Sequence, residues 1–188
     1  MSQPSSRRQR SSSQKPDPPP LSLQEWIVLA VIAETPTYGF SVARLLQPGG
    51  DLGRTYRVPH PAVYRSVDRL LAAGLVEAAG TEQSRQGPRR TLLHATPAGE
   101  MAAADWLERP VAHIRDIRTE LMAKLALLHR RSADHRELVR AQRDLLAPIV
   151  ESLAEKHRAA AGFDRVLSAW RLESGRAALR FLDGLLLA

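Results

Sequence analysis

Residues 58–99 constrain the fold of this 188-residue chain more than any other segment. A helix is expected over residues 59–73, because four apolar residues recur at the spacing of one helical face: Val63, Val67, Leu70 and Leu71. Gly74 then favours a helix end. Residues 75–77 and 91–95 predict two short strands around an arginine-rich tip. A helix followed at once by such a hairpin is typical of a winged helix-turn-helix, in which the helix enters the major groove of DNA.

Two more helices are expected before this segment. Ser22 and Glu25 match a capping box ahead of the apolar run at residues 26–33, which predicts a first helix. A second, short helix is expected over residues 40–46. Residues 55–57 are expected to add a short strand beside the wing. Three helices followed by a hairpin is the order that a winged helix requires.

The C-terminal half predicts three helices with apolar stripes. Residues 114–128 repeat apolar positions at spacings of three and four, and similar stripes recur over residues 138–153 and 167–185. Pro148 either ends the middle helix or bends it. The stripes must pack on one another, on the winged domain or on a second subunit, and we favour a dimer. The residues expected at the dimer interface are Leu167, Trp170, Ala177, Phe181 and Leu185.

These patterns predict a mainly α-helical fold with a small β-hairpin, divided into three parts. Residues 1–20 are rich in serine, arginine and proline and are expected to be a disordered basic tail, either solvated or following DNA phosphates. Residues 21–108 are expected to form a winged helix-turn-helix domain. Residues 109–188 are expected to form an α-helical dimerisation domain.

The basic charge is concentrated where a winged helix would face DNA. The formal net charge is +7, yet residues 21–108 hold eight basic and nine acidic residues. Within them, residues 54–94 hold seven arginines and three acidic residues. This distribution argues against a general polyanion binder and favours phosphate contacts on one side of the domain.

Several function classes are excluded by what the sequence lacks. The chain has no cysteine, which excludes disulfides, thiolate nucleophiles and cysteine-bound zinc and fits a cytoplasmic protein. Its longest apolar run, residues 26–33, is far shorter than the ~20 residues of a membrane-spanning helix. Residues 1–20 lack the apolar centre of a secretion signal. Metalloprotease, hydrolase and phosphate-loop motifs are missing, so we expect no enzymatic activity, no cofactor and no metal site.

The residues expected to contact DNA lie on the third helix and the wing: His60, Ala62, Tyr64, Arg65, Arg69, Arg85, Arg89 and Arg90. At about 100° per residue, Arg65 lies nearly opposite Val63 and Val67. It is the strongest candidate for base contact, because a guanidinium can bind guanine through two hydrogen bonds. Asp68 is expected to orient Arg65 or Arg69. Tyr64 either packs in the core or reaches a phosphate with its hydroxyl.

An ordered set of short motifs runs along residues 21–128. It comprises Gly39-Phe40, then Tyr64, Leu70, Gly74, Leu75 and Val76, then Arg89-Arg90 and Thr96-Pro97-Ala98-Gly99, then Trp106-Leu107, Pro110-Val111, Glu120-Leu121 and Lys124-Leu125. In this order the motifs resemble those of the PadR family of bacterial transcriptional regulators. The chain departs from the family where Leu92 and Leu93 stand in place of a wing tyrosine. It also departs where residues 58–61 open the third helix without a serine or threonine cap.

The resemblance implies a homodimer whose C-terminal helices pair and whose two winged domains bind a palindromic operator. It also implies repression that a small effector relieves. Trp106, near the domain junction, is a candidate effector contact, although packing in a core is the favoured role for it. The expected partners are double-stranded DNA, a second copy of the chain and a small-molecule effector, with no membrane.

The expected function is therefore that of a sequence-specific DNA-binding transcriptional regulator, with a repressor favoured. The alternative is a winged-helix adaptor that binds other proteins and has no specific affinity for DNA. Salt dependence separates the two, because neutralising several phosphates makes affinity fall steeply with salt concentration.

Overall fold

The fold is mainly helical with one small sheet, as predicted. The computed structural model describes residues 20–82 and 90–187, with only the backbone at residues 81, 82 and 90. These residues contain eight α-helices and three strands. None of these helices is long and apolar enough to cross a lipid bilayer. The predicted basic tail lies outside the described residues, apart from Pro20 at its end.

The three helices expected in the N-terminal half are present. Helix α1 spans Leu23–Ile32, α2 spans Gly39–Leu45 and α3 spans His60–Ala72. The predicted capping box is confirmed: the Ser22 hydroxyl accepts from the Glu25 N–H, and the Glu25 carboxylate accepts from the Ser22 N–H. Since α1 is apolar on nearly every side, it can run through the middle of the first core.

A three-stranded antiparallel sheet forms the wing, with strand order β1-β3-β2. Its strands are Thr37–Tyr38 (β1), Val76–Glu82 (β2) and Arg90–Ala95 (β3). The pairing of β2 with β3 shifts register between Ala78 and Thr81. Gly80 lies in this shift with a φ of 124°, a backbone conformation that glycine adopts more readily than other residues.

The short strand beside the wing is not the one predicted at residues 55–57. Thr37 in β1 pairs with Leu93 instead. Residues 51–55 form turns, because the N–H groups of Leu52 and Gly53 both bond to the Leu45 carbonyl at the end of α2. The N–H groups of Thr55 and Tyr56 bond to the Leu52 carbonyl, so they do not pair with β3.

A close contact explains the glycine in Thr96-Pro97-Ala98-Gly99. Helix α4 spans Pro97–Glu108, and the Thr96 hydroxyl caps it by accepting from the Gly99 N–H at 3.1 Å. A Cβ added at Gly99 would lie 1.9 Å from the carbonyl oxygen of Leu75. Glycine therefore lets α4 pack directly against the backbone that leads into β2.

The C-terminal helices are longer than predicted. Helix α5 (Ile114–Asp116), a π-helical segment (Ile117–Leu121) and α6 (Met122–Arg130) follow one another without a break. Helix α7 spans Arg136–Ala159 and α8 spans Gly162–Leu187. Pro148 lies inside α7 and does not end it.

Two apolar cores share α6. Ala123 and Leu127 belong to the first core, with α1, α3 and the sheet, whereas the π-helical segment packs with α7 and α8 in the second. Leu128 packs against both. Arg130 adds hydrogen bonds to Glu34 at 3.0 Å and to Asp51 at 2.7 Å, both in the N-terminal half. The division of the chain after residue 108 stays a prediction, because α6 is attached to both cores.

Candidate DNA-binding surface

The outward face of α3 presents an arginine without a partner. Arg65 is exposed and forms neither a hydrogen bond nor an ion pair with any residue that the structure describes. On the opposite side of the helix, Val63 and Val67 are buried in the first core. The predicted orientation of α3 is confirmed at these two positions, and it leaves the Arg65 guanidinium free for an external acceptor.

Two aromatic contacts join the start of α3 to α2. The His60 ring meets the exposed Phe40 ring edge to face, with centroids 6.1 Å apart. Tyr64 is 45% exposed, and a Cβ added at Gly39 would lie 3.1 Å from its ring. Tyr64 therefore packs on α2 and faces solvent as well, so its two predicted roles are compatible.

Ala62 does not lie on the outward face, and that prediction was wrong. Its side chain is buried in the first core. The reason is that α1 covers this side of α3, where the Gln24 side chain donates a hydrogen bond to the Ala62 carbonyl at 2.9 Å. The angle of about 100° per residue places side chains around a helix, but it does not reveal which side a neighbouring helix covers.

Gln24 of α1 links two polar groups on α3. Its Nε2 donates to the Ala62 carbonyl at 2.9 Å and lies 2.7 Å from the Ser66 hydroxyl oxygen. Ser66 is itself buried, and its hydroxyl donates to the same carbonyl at 3.1 Å. Sliding of α3 over α1 would leave these groups unpaired, which carries a free-energy cost. Sequence reasoning missed Gln24, because its only local signal is a polar residue in a first helical turn.

Glu25, the capping residue of α1, also pairs with the last turn of α3. Nη1 of Arg69 lies 3.1 Å from Oε1 of Glu25, and the Glu25 side chain is only 5% exposed. Asp68 forms no ion pair with Arg65 or Arg69 among the described residues, so the expectation that it orients them was wrong. The partner of Arg69 comes from a distant part of the sequence, and α1 thus holds α3 at two points.

The wing is fixed at its base. Glu77 of β2 and His94 of β3 are cross-strand partners, with His94 Nε2 and Glu77 Oε1 2.7 Å apart. Arg90 begins β3, and the structure describes only its backbone. Arg85 and Arg89 lie outside the described residues. Contact of these three arginines with phosphate stays a prediction.

The family model described as "Transcriptional regulator PadR-like family" matches residues 28–105. This match covers the second half of α1, all of α2 and α3, the wing and most of α4. Residues 28–105 of this chain are therefore similar to the PadR-like family. The family resemblance expected from the motif order is confirmed over these residues, and the family is described as one of transcriptional regulators.

Solved structures similar to this chain include three of low identity. Bacillus subtilis PadR in complex with operator DNA is 15% identical, with a TM-score of 0.46 over 88% of this chain and 98% of that chain. The protein smu.1604c from Streptococcus mutans is 14% identical, with a TM-score of 0.42 over 87% and 98%. Bacillus subtilis PadR in complex with p-coumaric acid is 16% identical, with a TM-score of 0.38 over 93% and 97%. No curated protein sequence matches the chain.

Trp106, the candidate effector contact, is buried between the PadR-like domain and α6. It is 3% exposed and stacks on Trp26 with ring centroids 5.8 Å apart and planes 3° from parallel. Its Nε1 donates to the Glu120 carboxylate at 3.0 Å. With one face on Trp26 and its nitrogen bonded, Trp106 has a packing role, and the structure does not support an effector contact there.

A buried lysine lies over the same tryptophan. Lys124 Nζ is 4.9 Å from the Trp106 ring centroid, 2.8 Å from the Glu120 carboxylate and 2.7 Å from the Arg109 carbonyl. Burial lowers the pKa of Lys124, against the opposing effect of Glu120. The family motifs at Trp106, Glu120 and Lys124 therefore form one interior polar cluster, which joins α4 to α6.

The helices that follow the PadR-like domain leave an open groove on the second core. Its volume is about 960 Å³, and it lies between α8, α7 and the start of the helix at Ile114. Trp170 and Phe181, two of the expected interface residues, line it. Leu167 and Ala177 are exposed on α8, whereas Leu185 is partly buried against the second core. This inward packing argues against Leu185 at an interface.

Metal chemistry has no support in the described part of the chain. Residues 20–82 and 90–187 contain no group of three or more His, Asp or Glu side chains that could hold a metal ion. The outward face of α3 instead presents Arg65, on a helix that hydrogen bonds from Gln24 hold in position on its other side.

Proposed function

We propose that this PadR-like regulator is a repressor that binds a palindromic operator sequence-specifically as a homodimer, in the cytoplasm, and is released by a small effector. One observation carries the DNA-binding part: Arg65 is exposed and unpartnered on a helix whose other side α1 holds at Ala62, Ser66 and Arg69. A guanidinium positioned in this way can discriminate guanine by ~1–3 kcal/mol.

Each residue of the surface then has a role of its own. Arg65 contacts a base in the major groove. His60 and Tyr64, near the start of α3, contact the adjacent phosphates, and their packing on α2 fixes their distance from the helix axis. The wing arginines, Arg85, Arg89 and Arg90, contact the flanking backbone and add affinity without sequence preference. Arg69 orients α3 through Glu25 rather than contacting DNA.

The homodimer sets the spacing of the two half-sites. Two-fold symmetry places the two α3 helices about one turn of DNA apart, ~34–36 Å, or a multiple of that distance. A small effector releases the operator by binding a dimer geometry with a different spacing more tightly. We base the effector on the family resemblance alone.

The test is titration of the purified protein with its own upstream DNA and with a scrambled duplex, at two salt concentrations. Tight binding to the native duplex alone, weakening with salt, is the expected result. Arg65→Ala should bring the two affinities together, with a loss of discrimination of about tenfold or more. Arg158→Ala is the matched control, because this arginine is also exposed but lies at the end of α7.

Two results would contradict the proposal. Absence of binding to either duplex at low salt would favour a protein-binding adaptor. Equal loss of affinity for both duplexes in Arg65→Ala would show that Arg65 contacts phosphate and does not discriminate bases.

A further inference from the structure

The N-terminal half of α8 carries an apolar ridge that no described residue covers. Phe163 is 77% exposed, Val166 63%, Leu167 37% and Trp170 73%. These four residues, here called the ridge, are spaced three or four apart and share one face of α8. Exposed aromatic groups in such a row mark an interaction surface rather than scattered surface residues.

The C-terminal half of the same helix face borders the groove. Ser174, Ala178 and Phe181 line it, together with Trp170. A smaller cavity of about 380 Å³ continues it along α7 past Ile149. Ridge and groove therefore lie in line along one helix, and Trp170 belongs to both.

We infer that the ridge of each subunit fills the groove of a second copy, through antiparallel pairing of two α8 helices about a point between Trp170 and Arg171. This inference rests on the proposed homodimer and specifies its interface. In this register, Leu167 lies opposite Ser174 of the partner subunit, and Phe163 lies opposite Ala178 of the partner subunit. The pairing is closed and self-complementary, as two-fold symmetry requires.

The lengths of the two parts agree. From Phe163 to Trp170 the ridge rises about 10 Å along the helix axis, and from Trp170 to Phe181 the groove extends about 16 Å. The ridge is therefore shorter than the groove that receives it.

The buried area also agrees with a second copy as the occupant. At 150–250 Å² for an aromatic side chain, the exposed parts of Phe163 and Trp170 amount to about 300 Å² in each subunit. Val166, Leu167 and the groove residues other than Trp170 are covered as well, so two reciprocal contacts bury on the order of 1,000 Å² in total. This area is close to the lower end of the range of specific interfaces, about 1,200–2,000 Å².

Disulfide cross-linking of full-length protein tests the register, because the chain has no cysteine of its own. The variant Leu167→Cys/Ser174→Cys should give a covalent dimer on mild oxidation. Neither single variant should do so, because in this register equivalent positions lie about 10 Å apart along the axis, beyond the reach of a disulfide. A single variant that cross-links as well as the double variant would overturn the inference.

Light scattering on the same samples separates failure of this inference from failure of the proposed function. If the protein is a dimer but no variant cross-links, the dimer uses another interface. This result overturns the α8 pairing alone, and the groove is then open to another occupant, such as a small organic anion. A monomer overturns the homodimer as well. Trp170→Glu should raise the dimer dissociation constant at least about tenfold. Met101→Glu, at an equally exposed apolar residue on α4, should leave it unchanged.

Discussion

Arg69 and Glu25 form an ion pair, 3.1 Å between Nη1 and Oε1, in which the carboxylate is almost buried and the guanidinium is half exposed. The same carboxylate accepts a hydrogen bond from the Ser22 N–H at 2.7 Å. One side chain therefore fixes both the beginning of α1 and the end of α3. The DNA-facing helix depends on this contact for its angle to the rest of the domain.

Removing Arg69 should cost stability, whereas removing Arg65 should not. Arg69→Ala leaves the Glu25 carboxylate without its charged partner, and we expect the free energy of unfolding to fall by about 1–2 kcal/mol. Arg65→Ala, the matched arginine one turn away, should change it by less than about 0.5 kcal/mol. Urea denaturation measures both. Equal losses in the two variants would mean that the Glu25 contact adds nothing to stability.

The two hydrogen bonds that Gln24 donates to α3 should stabilise the position of that helix. In a double-mutant cycle, Gln24→Ala and Ser66→Ala should show an interaction energy of about 1 kcal/mol in the free energy of unfolding. Gln24→Ala should also weaken operator binding without altering the slope of affinity against salt, since no phosphate contact is lost. A changed slope would place Gln24 at the DNA itself.

Gly99 should be far less tolerant of a side chain than a glycine in open space. Gly99→Ala forces a methyl group into the Leu75 carbonyl, and we expect a loss of about 1–3 kcal/mol in thermal or urea denaturation. Gly184→Ala, inside α8 with nothing within 4 Å of the added carbon in the described structure, should be neutral or stabilise by up to ~1 kcal/mol. If both glycines tolerate alanine equally, the contact between α4 and the backbone before β2 is looser than described.

Lys124 should make the protein more stable as the pH rises. Because burial lowers the pKa of Lys124 in the folded protein, the unfolded chain holds more protons between that lowered pKa and the ordinary lysine value. The free energy of unfolding therefore increases with pH across this window. Lys124→Met should lack this increase, so the stability of the wild type should gain on that of the variant as the pH rises toward the ordinary lysine pKa of 10.5.

The control for this pH dependence is Lys156→Met, which alters an exposed lysine at the end of α7. Its stability should run parallel to that of the wild type over the same pH range. A constant difference between wild type and Lys124→Met would show that the lysine is equally charged in the folded and unfolded chain.

Local chemistry was enough to predict most elements of this fold. Ser22 caps α1 as expected, and Gly74, with its φ of 70°, ends α3 in the left-handed conformation that glycine favours. The outward direction of Arg65 also followed from helical periodicity, because Val63 and Val67 mark the buried side.

The remaining features depend on contacts between distant residues. Strand β1 is two residues long and exists only because β3 pairs with it. Asp68 is next to Arg69 in sequence, yet the side chain of Glu25 reaches the guanidinium from α1. Pro148 removes one hydrogen bond from α7, but Leu146 and Val150 on either side are held in the second core, and the helix continues.

Helix α6 connects the DNA-binding half of each subunit rigidly to the half proposed to dimerise. It is packed into the first core through Leu127, bonded to Glu34 and Asp51 through Arg130, and continuous with the segment that enters the second core. In the proposed dimer, the distance between the two α3 helices is therefore set by the protein, and it changes only when the effector selects another dimer geometry. An operator lengthened or shortened by a single base pair between its half-sites would displace one half-site by about 3.4 Å from the α3 helix that binds it.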